Sequence, residues 1–326
     1  MLKSVIFLNL IYDMVFSAWT LRKKYLIIVG MKNLRLPIIT FLGVAIICLI
    51  VGSFIDLDAA TKIFSQDNTF GITIAAIGLI PAHGFVAFLA GILLWCCFQY
   101  KHNKVLMTAM IVGALVAIGA ATYFAGDSVF DENGFNNKDI AWSGMLICLP
   151  FMAGFAFLGY LVGKKVNNPQ LWVFATVMLL SVGIALGVGV LGLKNIMHRP
   201  RYRIVVRGGL IDFYPWWKRC SNYKDFVGLK EEFKSFPSGH AITSFMMAPF
   251  LGFLGLYFKK LRKYAPVLFL VGGLYALFIC YTRMLVGAHY LTDVSTGTIL
   301  CSLFVLIGNE LLINVKKIRE TLKIEE

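Results

Sequence analysis

An arginine, a histidine and an aspartate follow one another at short intervals late in the chain. Arg283, His289 and Asp293 lie in the segment CYTRMLVGAHYLTD, between two apolar runs. His289 and Asp293 are four residues apart, so on a helix their side chains share one face. A carboxylate that accepts a hydrogen bond from one imidazole nitrogen fixes the tautomer and leaves the other nitrogen able to attack an electrophile. The spacing therefore predicts a nucleophilic histidine oriented by an aspartate.

A run of basic residues lies upstream. From Lys194 to Arg203 the chain carries four cationic side chains and His198 within ten residues. Arginine binds phosphate oxygens through two parallel hydrogen bonds, and lysine adds a compact positive charge. The run therefore suits a phosphate or diphosphate group. A basic belt that contacts lipid headgroups explains the same residues equally well.

The tetrapeptide Pro-Ser-Gly-His, Pro237 to His240, immediately precedes the apolar run 241–258. A helix that begins there presents unbonded backbone N–H groups and the positive end of its dipole, which together bind anions. Ser238 adds a hydroxyl donor, and His240 lies at the rim. An ordinary helix cap followed by a polar interface histidine accounts for this segment when it is taken alone.

The composition indicates a polytopic membrane protein. Of the 326 residues, 59% are apolar and only 15% are charged, and the mean hydropathy is +0.77. A soluble domain has about 25% charged residues. The net charge of +14 comes from short basic blocks between apolar runs, a pattern that orients membrane proteins, so nucleic acid is excluded as a partner. The seven cysteines lie mostly in apolar runs and predict no disulfide framework.

Eight apolar runs approach the length of about 20 residues that a membrane helix needs. The expected spans are 36–54, 72–98, 105–125, 140–163, 171–193, 240–258, 265–281 and 294–315. Basic residues are concentrated in alternate connections, whereas the short connections between them hold acids such as Asp56 and Asp58. By the positive-inside rule, both termini are cytoplasmic and the long connection 194–239 faces outside. We predict an all-α transmembrane bundle of six to eight spans, with eight favoured.

Taken together, the three groups resemble the signature of the type 2 phosphatidic acid phosphatase superfamily. These integral-membrane lipid phosphatases share their active site with glucose-6-phosphatase and vanadium haloperoxidases. The resemblance extends from residue 194 to residue 293, with each group at a span end. The residues that carry it are Lys194 and Arg201, then Pro237 to His240, then Arg283, His289 and Asp293.

Three positions depart from the usual pattern of that family. Tyr202 stands where the family has proline, and Thr282 stands where it has serine. His198 occupies a place where many relatives carry glycine. None of the three removes a residue that must do chemistry, although the imidazole of His198 is expected to crowd or contact the phosphate site.

The resemblance implies a two-step reaction. His289, expected to be an exposed nucleophile, attacks phosphorus to form a phosphohistidine, and Asp293 orients it; His240 protonates the leaving group and then activates water. No metal or other cofactor is expected. The implied phosphate ligands are Lys194, Arg201, Arg283, Ser238 and the N–H of Gly239, with Arg199 and His198 as auxiliary residues.

We expect four parts along the chain. Residues 1–35 form a cytoplasmic or interfacial segment, of which 1–30 resembles an over-extension of the start site, because Met31 precedes a full span. Residues 36–163 form the amino-terminal membrane helices. Residues 164–315 form the phosphatase core, built from the last four or five helices and including the outer loop 194–239. Residues 316–326 form a basic cytoplasmic tail.

The motifs do not identify the substrate. Bacterial members of the family act on phosphatidic acid, phosphatidylglycerol phosphate, undecaprenyl diphosphate or lipid A phosphates. An outward-facing site favours an isoprenoid diphosphate, by analogy alone. A lipid phosphotransferase would use the same histidine and aspartate, and a non-catalytic lipid transporter or binder would need only the basic loop. The expected partners are the lipid phosphate and membrane lipids, with no obligate protein partner.

Overall fold

The computed structural model describes residues 24–131, 138–167, 171–208, 211–226, 228–258 and 260–323. Over these ranges the chain forms helices and connecting turns, with no strand. The α-helices are α1 Lys24–Ile63, α2 Thr69–Ile77, α3 Ile80–Cys97, α4 Lys104–Asp131, α5 Lys138–Val166, α6 Leu171–Leu186, α7 Lys194–Met197, α8 Tyr202–Gly208, α9 Gly239–Ser244, α10 Met247–Tyr257, α11 Ala265–Leu285 and α12 Leu291–Lys323. A π-helical segment, Gly187–Leu193, joins α6 to α7.

Eight helical segments among the described residues are long and apolar enough to cross a membrane. They are Gly30–Ile63, Thr69–Tyr100, Lys104–Val129, Ser143–Val166, Leu171–Arg207, Gly239–Leu256, Arg262–Leu285 and Leu291–Asn314. Each overlaps one expected span, which confirms the prediction of an all-α polytopic bundle. Helices are required here because a backbone in lipid must satisfy all its hydrogen bonds internally.

Two groups of helices pack side by side. In the first, α3, α4 and α5 each pack against the other two, and Gly91 of α3 approaches the carbonyl of Ala156 on α5. In the second, α1 packs along α11 and α12, with α10 beside α11. Phe41 of α1 and Phe245 of the α9–α10 bend meet edge to face, with ring centroids 5.4 Å apart. The amino-terminal helix is therefore part of the same core as the carboxyl-terminal helices.

The first helix differs from its expected span. α1 runs without a break from Lys24 to Ile63, so neither Met31 nor the expected boundary at residue 35 marks a change of structure. Residues 1–23 lie outside the described ranges. Asp56 and Asp58 lie inside the helix, although the charge pattern assigned them to an outer connection. At the carboxyl-terminal end of the chain, α12 continues into the expected tail as far as Lys323.

The connections 64–68, 198–238 and 286–290 meet at one end of the bundle. Ser65 donates its N–H to the carbonyl of Leu285 over 2.9 Å, and Arg203 donates its N–H to that of Gly287 over 3.0 Å. The expected outer loop begins at His198 rather than at Lys194, because α7 continues the helix of the fifth expected span to Met197. The connection 198–238, which includes α8, is called the outer connection after its expected side. His198, with φ of +48°, interrupts the helix between α7 and α8.

Candidate active site

The predicted site residues converge where α9 and α12 begin. The backbone N–H of Ser238 donates to the carbonyl of Asp293 over 3.0 Å. A Cβ atom placed on Gly239 would lie 3.9 Å from Nζ of Lys194. Lys194 begins α7 directly after the π-helical segment. The lysine, the tetrapeptide and the aspartate, which are far apart in the sequence, are thus neighbours in the fold.

His289 lies in the connection between α11 and α12, not on a helix. Its N–H donates to the carbonyl of Arg283 over 3.3 Å, which folds the connection back onto the end of α11. Gly287 makes this turn with φ of +65°, a conformation that favours glycine. Nδ1 of His289 lies 3.7 Å from Oδ2 of Asp293. We expected His289 and Asp293 to share one face of a helix. This expectation is wrong, because α12 begins only at Leu291; the turn at Gly287 brings the two side chains together instead.

Both the histidine and the nearby arginine are buried. His289 is 1% exposed and Arg283 is 0% exposed, so the expectation of an exposed nucleophile is wrong. Neighbouring connections cover the turn that carries His289. A Cβ atom placed on Gly287 would lie 2.8 Å from the ring of Phe64 and 3.1 Å from Cβ of Arg203. The imidazole is therefore screened from bulk water, and electrostatic interactions are stronger in this buried site than they would be in water.

Asp293 is held by three donors. Its Oδ1 accepts from Nη1 of Arg199 over 2.6 Å. Its Oδ2 accepts from the hydroxyl of Ser235 over 2.5 Å and from the backbone N–H of Tyr290 over 2.8 Å. The last bond is half of a capping box, in which an acid in the first turn bonds back to the residue before the helix. These bonds and the helix dipole stabilise the carboxylate as an anion in a fixed orientation.

Arg199 points toward carboxylates. Its side chain is fully buried and donates through Nε to the carbonyl of Tyr214 over 2.8 Å. Nη1 also reaches the hydroxyl of Thr292 over 2.8 Å, and Nη2 reaches Oδ2 of Asp56 over 2.7 Å. With its bond to Asp293, the guanidinium thus bridges two buried acids. The expected auxiliary role at the phosphate is replaced by contact with the aspartate.

An aromatic ring stacks beside this guanidinium. Cζ of Arg199 lies 4.0 Å from the ring centroid of Tyr290, which is within the range of a cation–π interaction. Burial raises the pKa of Tyr290, and the positive charge of Arg199 opposes that rise. The phenol therefore stays neutral at any working pH, and Tyr290 contributes its ring rather than a charge.

Arg201 and Arg203 share one acid of the outer connection. Arg203 binds Glu232 with two nitrogens, Nε at 2.7 Å from Oε2 and Nη2 at 2.5 Å from Oε1. Nη1 of Arg201 lies 3.6 Å from Oε1 of the same carboxylate, and the Arg201 side chain is buried. The backbone N–H of Arg201 donates to the Glu232 carbonyl over 2.8 Å. Glu232 thus fixes the segment that carries Arg201.

The tetrapeptide forms a helix cap, as its sequence suggested. Ser238 is fully buried and its hydroxyl oxygen accepts from the N–H of Ala241 over 3.3 Å. The serine O–H can still act as a donor, because the capping bond uses only the oxygen lone pair. Gly239 is the first residue of α9, so its N–H is one of those that a helix start leaves unbonded within the helix. His240, the next residue of α9, is half-buried.

A known protein family matches the part of the chain that carries these residues. Residues 169–314 match the model of the PAP2 superfamily. These residues are a PAP2 superfamily domain. The match contains every predicted site residue and confirms the resemblance seen in the sequence.

The chain is also similar to phosphatidylglycerophosphatase B of Bacillus subtilis (strain 168), with 32% identity over 75 residues. The aligned part is 22% of this chain and 37% of that protein, so the chain spans little more than a third of that relative's length. No solved structure matches the chain.

The departures from the PAP2 pattern have structural explanations. The hydroxyl of Tyr202 donates to Thr61 of α1 over 3.0 Å, and its ring meets Phe64 edge to face at 5.3 Å. Tyr202 therefore ties the PAP2 domain to a helix outside it. The hydroxyl of Thr282 donates to the carbonyl of Ile279 over 2.8 Å, within its own helix. The threonine hydroxyl is therefore bonded within α11.

His198 adopts the left-handed conformation that glycine favours, which explains why glycine suits this position. Its imidazole stacks on Tyr223 of the outer connection, with ring centroids 3.6 Å apart. The expected contact with the phosphate site is thus replaced by a contact that packs the outer connection against α7.

Four residues of the site were missed in the sequence: Asp56, Glu232, Ser235 and Thr292. Asp56 had a usable signal, since an acid in an apolar helix is a candidate functional residue. The other three are ordinary polar residues whose partners only the fold defines. Within the described ranges, no three His, Cys, Asp or Glu side chains group in a way that could hold a metal ion. Metal independence stays a prediction.

Proposed function

We propose that the protein is a membrane lipid phosphatase that hydrolyses a lipid phosphomonoester or diphosphate through a phosphohistidine. The PAP2 domain and the similarity to a phosphatidylglycerophosphatase support this function. The observation that carries it is the convergence of Lys194, the Ser238 cap and the buried His289–Asp293 pair at one end of a transmembrane bundle. A lipid transporter or binder would have no use for a histidine held against a buried carboxylate.

In the first step, His289 faces Asp293 through Nδ1 and attacks phosphorus through Nε2. The new N–P bond forms as the bond from phosphorus to the leaving oxygen breaks, and His240 gives that oxygen a proton. Asp293 keeps its negative charge and stabilises the positive imidazole. Three donors fix Asp293, so little reorganisation is needed when this charge develops.

In the second step, His240 takes a proton from water, and the resulting oxygen attacks the phosphohistidine. The N–P bond breaks, inorganic phosphate leaves and His289 returns to its starting state. Negative charge on the equatorial oxygens is greatest in the transition states, where fixed donors contribute most. The donors assigned to these oxygens are Lys194, Arg201, Arg283, the Ser238 hydroxyl and the N–H of Gly239.

The active site is assigned to the extracytoplasmic side. The basic residues at the opposite end of the bundle support this orientation by the positive-inside rule. They include Lys104 at the start of α4, Lys164 in the last turn of α5 and Arg262 before α11. The exposed apolar side chains around the helices, such as Phe54 at 83% exposure, fit a lipid environment.

Two substrate classes lead the candidates. The name of the Bacillus subtilis relative favours phosphatidylglycerol phosphate. The proposed outward-facing site favours an isoprenoid diphosphate such as undecaprenyl diphosphate, which would present its phosphates on that side. A panel with both lipids and phosphatidic acid distinguishes them by kcat/KM, because only differences in transition-state binding separate competing substrates.

The test of the function is phosphate release by purified protein in detergent. His289→Gln should reduce release to the level seen without enzyme, and the wild-type protein, quenched during turnover, should carry an alkali-stable, acid-labile phosphate. The matched control is His102→Gln, an exposed histidine in the turn at the opposite end of the bundle. Equal rates for the two variants would remove His289 from the mechanism. Transfer of phosphate to an added acceptor lipid, without release, would indicate a phosphotransferase.

A further inference from the structure

A buried acid outside the PAP2 domain completes the charge network of the site. Asp56 of α1 is only 4% exposed. Its Oδ2 accepts from Nη2 of Arg199 over 2.7 Å and from the hydroxyl of Thr292. Its Oδ1 accepts from the backbone N–H of Thr292 over 3.0 Å. One carboxylate thus joins the arginine to the first turn of α12, the turn that also carries Asp293.

The bonds form a closed chain of groups. Arg199 gives Nη2 to Asp56 and Nη1 to Asp293, so each carboxylate holds a different nitrogen of one planar guanidinium. The Thr292 hydroxyl accepts from Nη1 and donates to Asp56. Because both terminal nitrogens of the planar guanidinium are hydrogen-bonded, the group cannot rotate. Asp293 therefore always accepts from the same nitrogen, Nη1. Without Asp56 that restraint is lost, and Arg199 is left with a single acid.

α1 comes close to the start of α12 at Gly52. A Cβ atom placed on Gly52 would lie 2.9 Å from Cγ2 of Thr292, so the glycine lets α1 contact the start of α12. Gly52 and Asp56 are four residues apart and share a helix face. Close by, Ser53 accepts from Nε1 of Trp216 over 2.9 Å, and Thr61 accepts from Tyr202. This end of α1 therefore contacts the start of α12, the connection that carries Trp216, and α8.

We infer that Asp56 is a positioning residue of the reaction, acting through Arg199 on Asp293, and that α1 thereby completes the active site of the PAP2 domain. The inference rests on the proposed function. Asp56 touches no reacting atom. It sets the orientation of Asp293 and adds a second carboxylate to the charge network whose Asp293 faces the imidazole. The charged and titratable groups around Asp293 are Arg199, His289, Tyr290 and Asp56.

The test compares Asp56→Asn with Asp58→Asn in the full-length protein. Asp58 is exposed on the same helix two residues further on, so it controls for the chemical change. Asp56→Asn should lower kcat by about 10- to 100-fold, as large an effect as the loss of a hydrogen-bond partner that orients a metal ligand, with KM and vanadate affinity little changed. The acidic limb of the kcat/KM profile should move to lower pH, because loss of a negative charge disfavours the protonated imidazole.

A second variant separates positioning from folding. Gly52→Ala pushes α1 away from Thr292 without removing a charge, so it should lower kcat while leaving the acidic limb in place. If Asp56→Asn does not fold, Gly52→Ala alone decides: an unchanged kcat overturns the inference. The inference is also overturned if folded Asp56→Asn has the same kcat and the same pH profile as Asp58→Asn. A change in KM alone overturns it too. A wild-type protein that releases no phosphate from any lipid refutes the proposed function instead.

Discussion

Replacement of Arg199 by lysine tests the central ion network most directly. The guanidinium contacts four groups at once: a carbonyl, a hydroxyl and two carboxylates. A lysine keeps the positive charge but offers one nitrogen at the end of a flexible stem. That nitrogen can satisfy one carboxylate well but cannot lie between Asp56 and Asp293 in the same way. The substitution thus isolates geometry from net charge.

The expected cost follows from the groups left behind. A hydrogen bond to a charged group contributes about 1.5–3 kcal/mol to the free energy of unfolding. Removing one partner of a buried ion pair lowers that free energy by about 3–5 kcal/mol. In Arg199→Lys one of the two carboxylates stays buried without a cation. Asp56 would keep only its Thr292 donors, or Asp293 only its Ser235 and Tyr290 donors, so we expect a loss of stability of about 3–5 kcal/mol. The looser Asp293 should reduce kcat by roughly 10- to 100-fold, about 1.4–2.8 kcal/mol of transition-state stabilisation.

The measurement is thermal unfolding in detergent together with phosphate release, and the chain supplies a matched control. Arg203 also binds a carboxylate with two nitrogens, but its side chain is 20% exposed. Arg203→Lys should therefore cost only about 1 kcal/mol or less, as for partly exposed pairs. If Arg199→Lys melts and turns over like Arg203→Lys, the bridge between the two buried acids is not important for stability or for catalysis.

The remaining predictions concern the phosphate site and the topology. Arg201→Lys keeps the charge and loses the two-pronged hydrogen bonding, so turnover and vanadate affinity should fall in parallel, by roughly 10- to 1000-fold; an unchanged vanadate inhibition constant would exclude Arg201 from the phosphate site. Chelators such as EDTA should leave phosphate release unchanged, and strict dependence on added Mg²⁺ would contradict the mechanism. A reporter fused after Leu229 should be extracytoplasmic and one fused after Lys260 cytoplasmic; the reverse pattern would overturn the assigned orientation.

The membrane helices could be predicted because lipid imposes a simple rule on the backbone. Long apolar runs must be helical there, so span number and approximate position follow from hydropathy alone. The ends of the spans do not follow in the same way. The charge pattern assigned Asp56 to an outer connection, since a buried charge in a membrane helix is costly. Arg199 neutralises that acid in the fold, and α1 continues to Ile63.

The sequence could predict which residues lie close together but not their geometry. The resemblance identified His289 and Asp293, whereas the argument from helical spacing gave the wrong backbone for His289. No rule of sequence separation indicates that Gly287 turns the chain there before α12 starts. The role of Arg199 was equally inaccessible, because its partner Asp56 is 143 residues away in the sequence.

The basic run that first suggested a phosphate site shows how a shared charge can conceal different roles. His198 interrupts the helix, and α8 starts at Tyr202, so Arg199 within the break and Arg203 on α8 face different surroundings. Arg199 turns inward to two acids, and Arg203 binds Glu232. The proposed mechanism assigns only Lys194 and Arg201 to phosphate. The density of positive charge in this run therefore reflects three separate electrostatic tasks, and two of them are structural supports for the aspartate and for the outer connection.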